Sequence, residues 1–362
     1  MNIKRNPIQG QNRLIKGVTL VELMVGLTIG IMLSISILGV YMAQFNTYKT
    51  NVSQSTIQNA ENAVSAILGP AIRSAGFSGC TTITKAISNL NAGGPAPLGI
   101  LGTTQTMVMG YDSTAGVAIN IAQDNAPNDG NTAHWSPALD ASLAGFVESV
   151  SDVLIILSPV PGSTPVAVTS IPAGSNSLTL QNTNGISAGQ FGSVSDCAKS
   201  SVFLITGVAG TTITHSAGGG PLANATDALS VNYQIGAQFI PLVQSAFFVS
   251  HDPSGQSALV RATLNSNNTW TLQSLIPNVE TMQVLYGVGS SGALQNYVTA
   301  GAVANWSQVY AIRIGFLIEG QQGSGTKVPT QYKLLGTTIN VPNDNRLRHV
   351  FEMTINLRNT NS

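Results

Sequence analysis

The sequence predicts an α+β fold: a long N-terminal helix, half membrane-type and half amphipathic, packed on an antiparallel β-sheet within an enlarged β-rich body. Three observations carry that prediction. From Leu23 to Phe45 there are 23 residues without a charge, and ~20 apolar helical residues cross a bilayer's hydrocarbon core. Beyond that run, Val52, Thr56, Ala60, Ala63, Val64, Ile67, Leu68, Ala71, Ile72 and Ala75 recur at spacings of three and four, one stripe of an amphipathic helix. From residue 151 onward, short β-branched runs alternate with Gly, Pro, Asn and Asp turn signals.

The N-terminus comes first. Lys4, Arg5, Arg13 and Lys16 precede the apolar run, and no acid comes before Glu22. A basic flank before an apolar run is an export or membrane signal. An ordinary secretory peptide has an apolar core of ~7–15 residues with a small-residue cleavage site after it. Here the small residue, Gly17, comes first, and the run is longer. A cut after Gly17 would remove residues 1–17 as a basic leader and keep 18–45 on the mature protein. It would also create an α-amino group at Val18, about one helical turn from Glu22. An ionisable residue in a lipid-type segment is a functional candidate. The leader's charge keeps that end cytoplasmic and the rest outside.

Gly17-Val18-Thr19-Leu20-Val21-Glu22-Leu23 resembles the class III signal of type IV pilins and type II secretion pseudopilins. That resemblance implies a prepilin peptidase that cuts after Gly17 and N-methylates Val18, and an assembly role for Glu22. Val18 departs from the Phe or Met that most such signals carry. Ile72-Arg73-Ser74-Ala75-Gly76-Phe77-Ser78-Gly79-Cys80 resembles PilW-type minor pilins, as do Asp196-Cys197 before an apolar strand, residues 275–288 and the terminal block 344–359. The resemblance implies a structural minor pilin in the tip or priming complex of a type IV pilus, supporting adhesion and twitching motility. Its implied partners are other minor pilins, the major pilin, a PilY-type tip adhesin and the inner-membrane assembly platform. It implies residence in the inner membrane before assembly and in the fibre afterwards. Two other classes fit the residues: a minor pseudopilin of a type II secretion system, and a membrane-anchored extracellular binding module.

Composition narrows the classes further. Of 362 residues only 8% are charged and the net charge is zero, against a typical ~25% charged. A basic nucleic-acid footprint is therefore missing. The two cysteines, Cys80 and Cys197, belong to no CxxC or metal-spaced cluster. Outside the cytoplasm a disulfide is expected. It would close a loop of over a hundred residues, worth ~4–5 kcal/mol on a chain-entropy estimate. Two buried free thiols are the alternative. His134, His215, His251 and His349 show no metal spacing, and no phosphate loop, nucleophile elbow, HExxH or dinucleotide fingerprint is present. The sequence thus offers no catalytic residue, cofactor site or metal site. Residues 124–131 cluster oxygen donors but lack EF-hand spacing, and read as an Asx-rich turn.

The remaining elements follow in order. Residues 46–79 continue the helix as its amphipathic half. Gly69-Pro70 predicts a kink or break near Ala66, and Gly76 suits a left-handed helix end. Within the body, 80–362, residues 81–150 form a loop-rich insertion. Strands are expected at 151–157, 166–171, 177–180, 201–207, 211–215 and 228–235, then a meander of 244–251, 258–265 and 269–274. Pro277 opens an element that is helix or strand at first and strand over 282–288. Residues 309–318 alternate around Arg313 as a central strand, and the last strand sets Val350, Glu352 and Thr354 against Phe351, Met353 and Ile355.

Overall fold

A computed structural model describes residues 17–79, 86–91, 106–113, 118–121, 130–220, 222–251, 255–290, 293–325 and 329–359. The fold is α+β: a long N-terminal apolar helix and a large, mostly antiparallel β body. Helix α1 (Leu20–Arg73) contains the whole apolar run, and the chain divides into two compact units at Asn51/Val52.

In the first unit the apolar side chains are uncovered; none of the membrane-length window is buried. The hydroxyls among them are satisfied internally. Thr28, Ser34 and Ser36 donate to the carbonyls of Val25, Gly30 and Met32 at 2.9, 2.8 and 2.9 Å. A hydroxyl left unpaired in hydrocarbon would cost several kcal/mol, on the order of a lost hydrogen bond. At the end of the run Tyr41 stacks on Phe45, and the Lys49 ammonium lies 4.7 Å from the Phe45 ring.

In the second unit α1 buries Ser53, Ile57, Ala60, Val64, Leu68 and Ile72. The expected stripe is therefore one position out at its start: Val52 and Thr56 are half-buried, while Ser53 and Ile57 enter the core. The reason is tertiary. Ser53 Oγ accepts the Gln321 N–H at 3.1 Å. Gly320 makes room for it, because a Cβ there would meet Ser53 Cβ at 2.7 Å. Of the kink or break expected near Ala66, the break does not occur. α1 continues to Arg73, and the Ser74 N–H donates to the Pro70 carbonyl at 3.0 Å. Proline removes one bond in the last turn, and burial of Leu68, Gly69 and Ile72 holds the backbone there. Gly76 has φ +75° and donates to the Leu157 carbonyl at 2.8 Å, which ties the helix end to the body.

The stretch read as loop-rich contributes β1 (Ala86–Ser88), β2 (Val108–Tyr111), β3 (Ile119–Asn120) and a one-turn helix α2 (Ala141–Ala144). Then come β4 (Val153–Pro159), β5 (Val166–Ser170), β6 (Ser177–Leu180), β7 (Phe191–Ser195), β8 (Ser200–Leu204), β9 (Gly207–Ala209) and β10 (Thr212–Thr214). The rest are β11 (Gln238–His251), β12 (Ser257–Leu264), β13 (Trp270–Pro277), β14 (Val279–Ser290), β15 (Ala293–Val298), β16 (Val309–Glu319), β17 (Gln331–Leu334), β18 (Thr337–Asn340) and β19 (Arg348–Asn356).

β11 is the hub of the larger sheet. It pairs with β4 and β5 along one edge and with β7 and β12 along the other, and β12 continues to β13. A second sheet runs β15-β14-β16-β19, so β16 is internal, as its alternation predicts. A small third sheet runs β17-β18-β3. One main core lies between α1 and the two larger sheets, and two smaller clusters lie beside it.

Three strand expectations need correction. Residues 228–235 form no strand. Their alternation is real, but it pegs a loop onto the second cluster: Tyr233 is buried there and donates to Ser201 Oγ at 2.7 Å. β11 starts at Gln238, six residues earlier than the expected 244, and contains Pro241. Proline lacks the N–H a ladder needs, so the sequence reads as an interruption there. In the fold Pro241 sits opposite Gly192 on β7, and its carbonyl still accepts from Val160. Pro277 ends β13 rather than opening an element, and β14 is strand from its first residue.

Candidate functional site

The segment from Gly17 to Glu22 joins exposure to a satisfied acid. Gly17, Val18 and Thr19 are exposed and non-helical, and the helix begins at Leu20. The Gly17–Val18 bond therefore lies on open backbone, just ahead of the first turn. No atom lies within 4 Å of where a side chain at Gly17 would begin. No packing contact among the described residues asks for glycine there.

Thr19 and Glu22 form a capping box. The Thr19 N–H and hydroxyl both donate to Glu22 Oε2 at 3.0 Å, and the Glu22 N–H donates to Thr19 Oγ1 at 3.3 Å. A Thr with Glu three residues on satisfies donors that a helix start otherwise leaves open. The carboxylate thus has an intramolecular partner at the head of an uncovered apolar helix. Sequence reasoning identified Glu22 but passed over Thr19, although Thr19-x-x-Glu22 is itself a helix-start signal.

The other sequence-predicted site residues fall in the second unit. Cys197 is disulfide-bonded, with φ +70°. Its expected partner Cys80 lies outside the described residues, as do the leader up to Lys16 and residues 124–129 of the Asx-rich stretch. At the end of that stretch Asn131 Oδ1 accepts the Ala133 N–H at 3.1 Å, an Asx-type cap. Trp135 is buried and donates to the Ser151 carbonyl at 2.9 Å. Asn224, which opens an Asn-x-Thr triplet, is fully buried and bonded through its amide to both backbone groups of Leu204.

The second charged feature is inside the body. Glu280, on the first residues of β14, sits at a bulge where Val279 and Thr281 face successive residues of β16. Its carboxylate takes a two-pronged contact from Arg348, with Nε and Nη2 donating at 2.8 Å each. Arg348 also donates to Asp344 at 2.8 and 2.9 Å, and Arg346 donates to Glu319 Oε1 at 3.0 Å. Three carboxylates thus face two guanidinium groups. Burial, with the Glu280 charge behind it, pushes the Glu319 carboxyl up to about 8. A proton on Glu319 balances the cluster at neutral pH. Hydrogen bonds and charge from Arg348 and Arg346 overcome burial and hold Asp344 below its usual value. Among the described residues no three of His, Cys, Asp and Glu converge as metal ligands.

Among the described residues, the uncovered N-terminal helix is long and apolar enough to cross a membrane. Residues 246–359, from β11 to the end of β19, match the family model for Type IV Pilus-assembly protein W. The match covers about a third of the chain and includes all five members of the charge cluster. A solved type IV-like pilin from Thermus thermophilus is 16% identical and covers 48% of this chain and 87% of its own; its TM-score of 0.22 is too low to carry an argument. No curated protein matches the chain.

Proposed function

We propose that this chain is a structural minor pilin of the PilW type, processed after Gly17 and built into a type IV pilus through its first helix. The PilW match over residues 246–359 is the single observation that carries the reading. The exposed Gly17–Val18 bond ahead of an uncovered 23-residue charge-free run supports it. Cutting there frees an ammonium at Val18. Glu22, now held by Thr19, is then the nearest acid for that ammonium or for one on a neighbouring subunit. N-methylation keeps the positive charge. The exchange of a local cap for an intersubunit ion pair is the step that seats the subunit, because a lone charge among apolar helices is costly.

On this reading the protein stands in the inner membrane before assembly, with the body outside, where Cys80 and Cys197 pair. It then joins other minor pilins, the major pilin and a tip adhesin on the assembly platform, at the tip or priming complex, and so supports adhesion and twitching. Mass spectrometry of sheared pili tests this. A peptide beginning at methylated Val18 is expected; native protein that still begins at Met1 refutes the reading.

A further inference from the structure

Asp112 and Asp152 flank the last paired residues of β2 and β4 inside the body. β2 pairs antiparallel with β4, with Gly110 opposite Leu154 and Tyr111 opposite Val153. The pairing ends there, where Asp112 bridges Ser136 on its other side and Asp152 donates its N–H to the Met282 carbonyl; continuing the register by one step would set Asp112 against Asp152, and directly opposed residues put their Cβ atoms ~4.5–5.5 Å apart on one face. Both are buried, at 4% and 2% exposure. Like charges opposed in this way destabilise a sheet, and out of water the repulsion is stronger.

Asp152 is held firmly. Its Oδ1 accepts the Ser113 N–H at 2.8 Å and its Oδ2 accepts the Val284 N–H at 2.7 Å. Two residues beyond Val284, on the same face of β14, stands Tyr286. Its ring is 1% exposed, and its hydroxyl has no hydrogen-bond partner among the described residues. That hydroxyl hangs over Gly110, where a side-chain carbon would lie 1.7 Å from the phenol oxygen. Gly110 and Asp112 share a face of β2, so the phenol oxygen is aimed at the edge the two carboxylates occupy. The charges of Asp152 and Asp112 both bear on it.

A buried unpaired hydroxyl costs about 1–3 kcal/mol, and two opposed carboxylates add repulsion. A proton on one aspartate would relieve the charge and leave the phenol unpaired. A water would serve the phenol and leave the charge. A cation answers both. We infer that Asp112, Asp152 and the Tyr286 hydroxyl, with the Ser113 hydroxyl beside them, form a binding site for a hard divalent cation such as calcium. The donors are all oxygen, as such a cation requires, and water would complete its shell of six to eight ligands. With two carboxylates, affinity falls near the ~10⁻⁴–10⁻³ M of extracellular calcium modules.

Trp306 packs edge-on against Tyr286, with centroids 4.8 Å apart, so a bound lanthanide has an antenna. The test uses the full chain in detergent micelles, titrated with terbium chloride under tryptophan excitation. Saturable terbium emission, displaced by calcium chloride, is expected. Asp112→Asn should weaken it at least tenfold. Tyr286→Phe, which keeps the ring and the fold, should weaken it several-fold. Wild-type melting should also rise with calcium and fall with EDTA. Emission absent in the wild type, or unchanged in both variants, overturns the assignment. So does melting that ignores calcium and EDTA, which would leave a shared proton or a water as the occupant.

Discussion

Replacing Arg348 by Met should destabilise the body by about 3–5 kcal/mol, the usual cost of removing one partner from a buried ion pair. Met keeps much of the stem's volume, so the change is mainly one of charge. Arg348 is 5% exposed and Glu280 6% exposed, and the guanidinium bonds Glu280 through two nitrogens. Without it, Glu280, Glu319 and Asp344 face Arg346 alone. The loss should be largest near pH 8, where Glu319 gives up its proton. It should shrink towards pH 5, as the buried acids protonate. Changing Glu280 to Gln in the same chain should recover about half of the loss, because no buried charge is then left without its partner. Urea unfolding of the detergent-solubilised full chain, followed by tryptophan fluorescence, measures the wild type and both variants. A single-variant loss below about 1 kcal/mol at pH 8 would refute the view that Arg348 holds the second sheet's charges together.

The remaining predictions concern other links. Folded Glu148 and Glu319 have carboxyls raised by burial to about 7 and about 8. The folded state therefore binds their protons more tightly, and stability should fall as pH rises from about 5 to 8, by up to about 1.4 kcal/mol per unit for each group; Glu319→Gln should flatten that slope in a pH series of urea midpoints, and an unchanged slope would count against it. Gly320→Ala should cost about 1–3 kcal/mol by pushing Ser53 off its seat, and Ser53→Gly in the same chain should restore part of it in the same assay. Gly17→Leu should leave an unprocessed precursor on an immunoblot; a band of mature mobility would contradict the proposed cut. Glu22→Ala should be processed yet enter sheared pili poorly, and normal incorporation would remove the role given to that acid.

How much of this was legible beforehand can be judged from particular residues. The charge-free run from Leu23 to Phe45 and the helix end at Gly76 depend on local composition and backbone freedom, and a sequence displays both directly. The meander of β11, β12 and β13, and the last strand, were readable because turn residues and alternation are local as well. Arg348 could be seen in the terminal block, but its partner Glu280 is 68 residues away, and no local signal joins them. The same limit explains Ser53. Its place in the core depends on a glycine at 320 that leaves room for it.

By itself the sequence determined the elements set by near neighbours: an apolar helix behind a basic stretch, and a strand-rich body poor in charge. Tertiary structure alone decided which distant residues share a site. It ran β11 through Pro241, turned the alternation of 228–235 into a loop anchor, and brought buried acids against arginines or against each other. The physical reason is range. Backbone preference and periodicity act over a few residues, whereas burial and charge pairing act between whatever strands the fold makes adjacent.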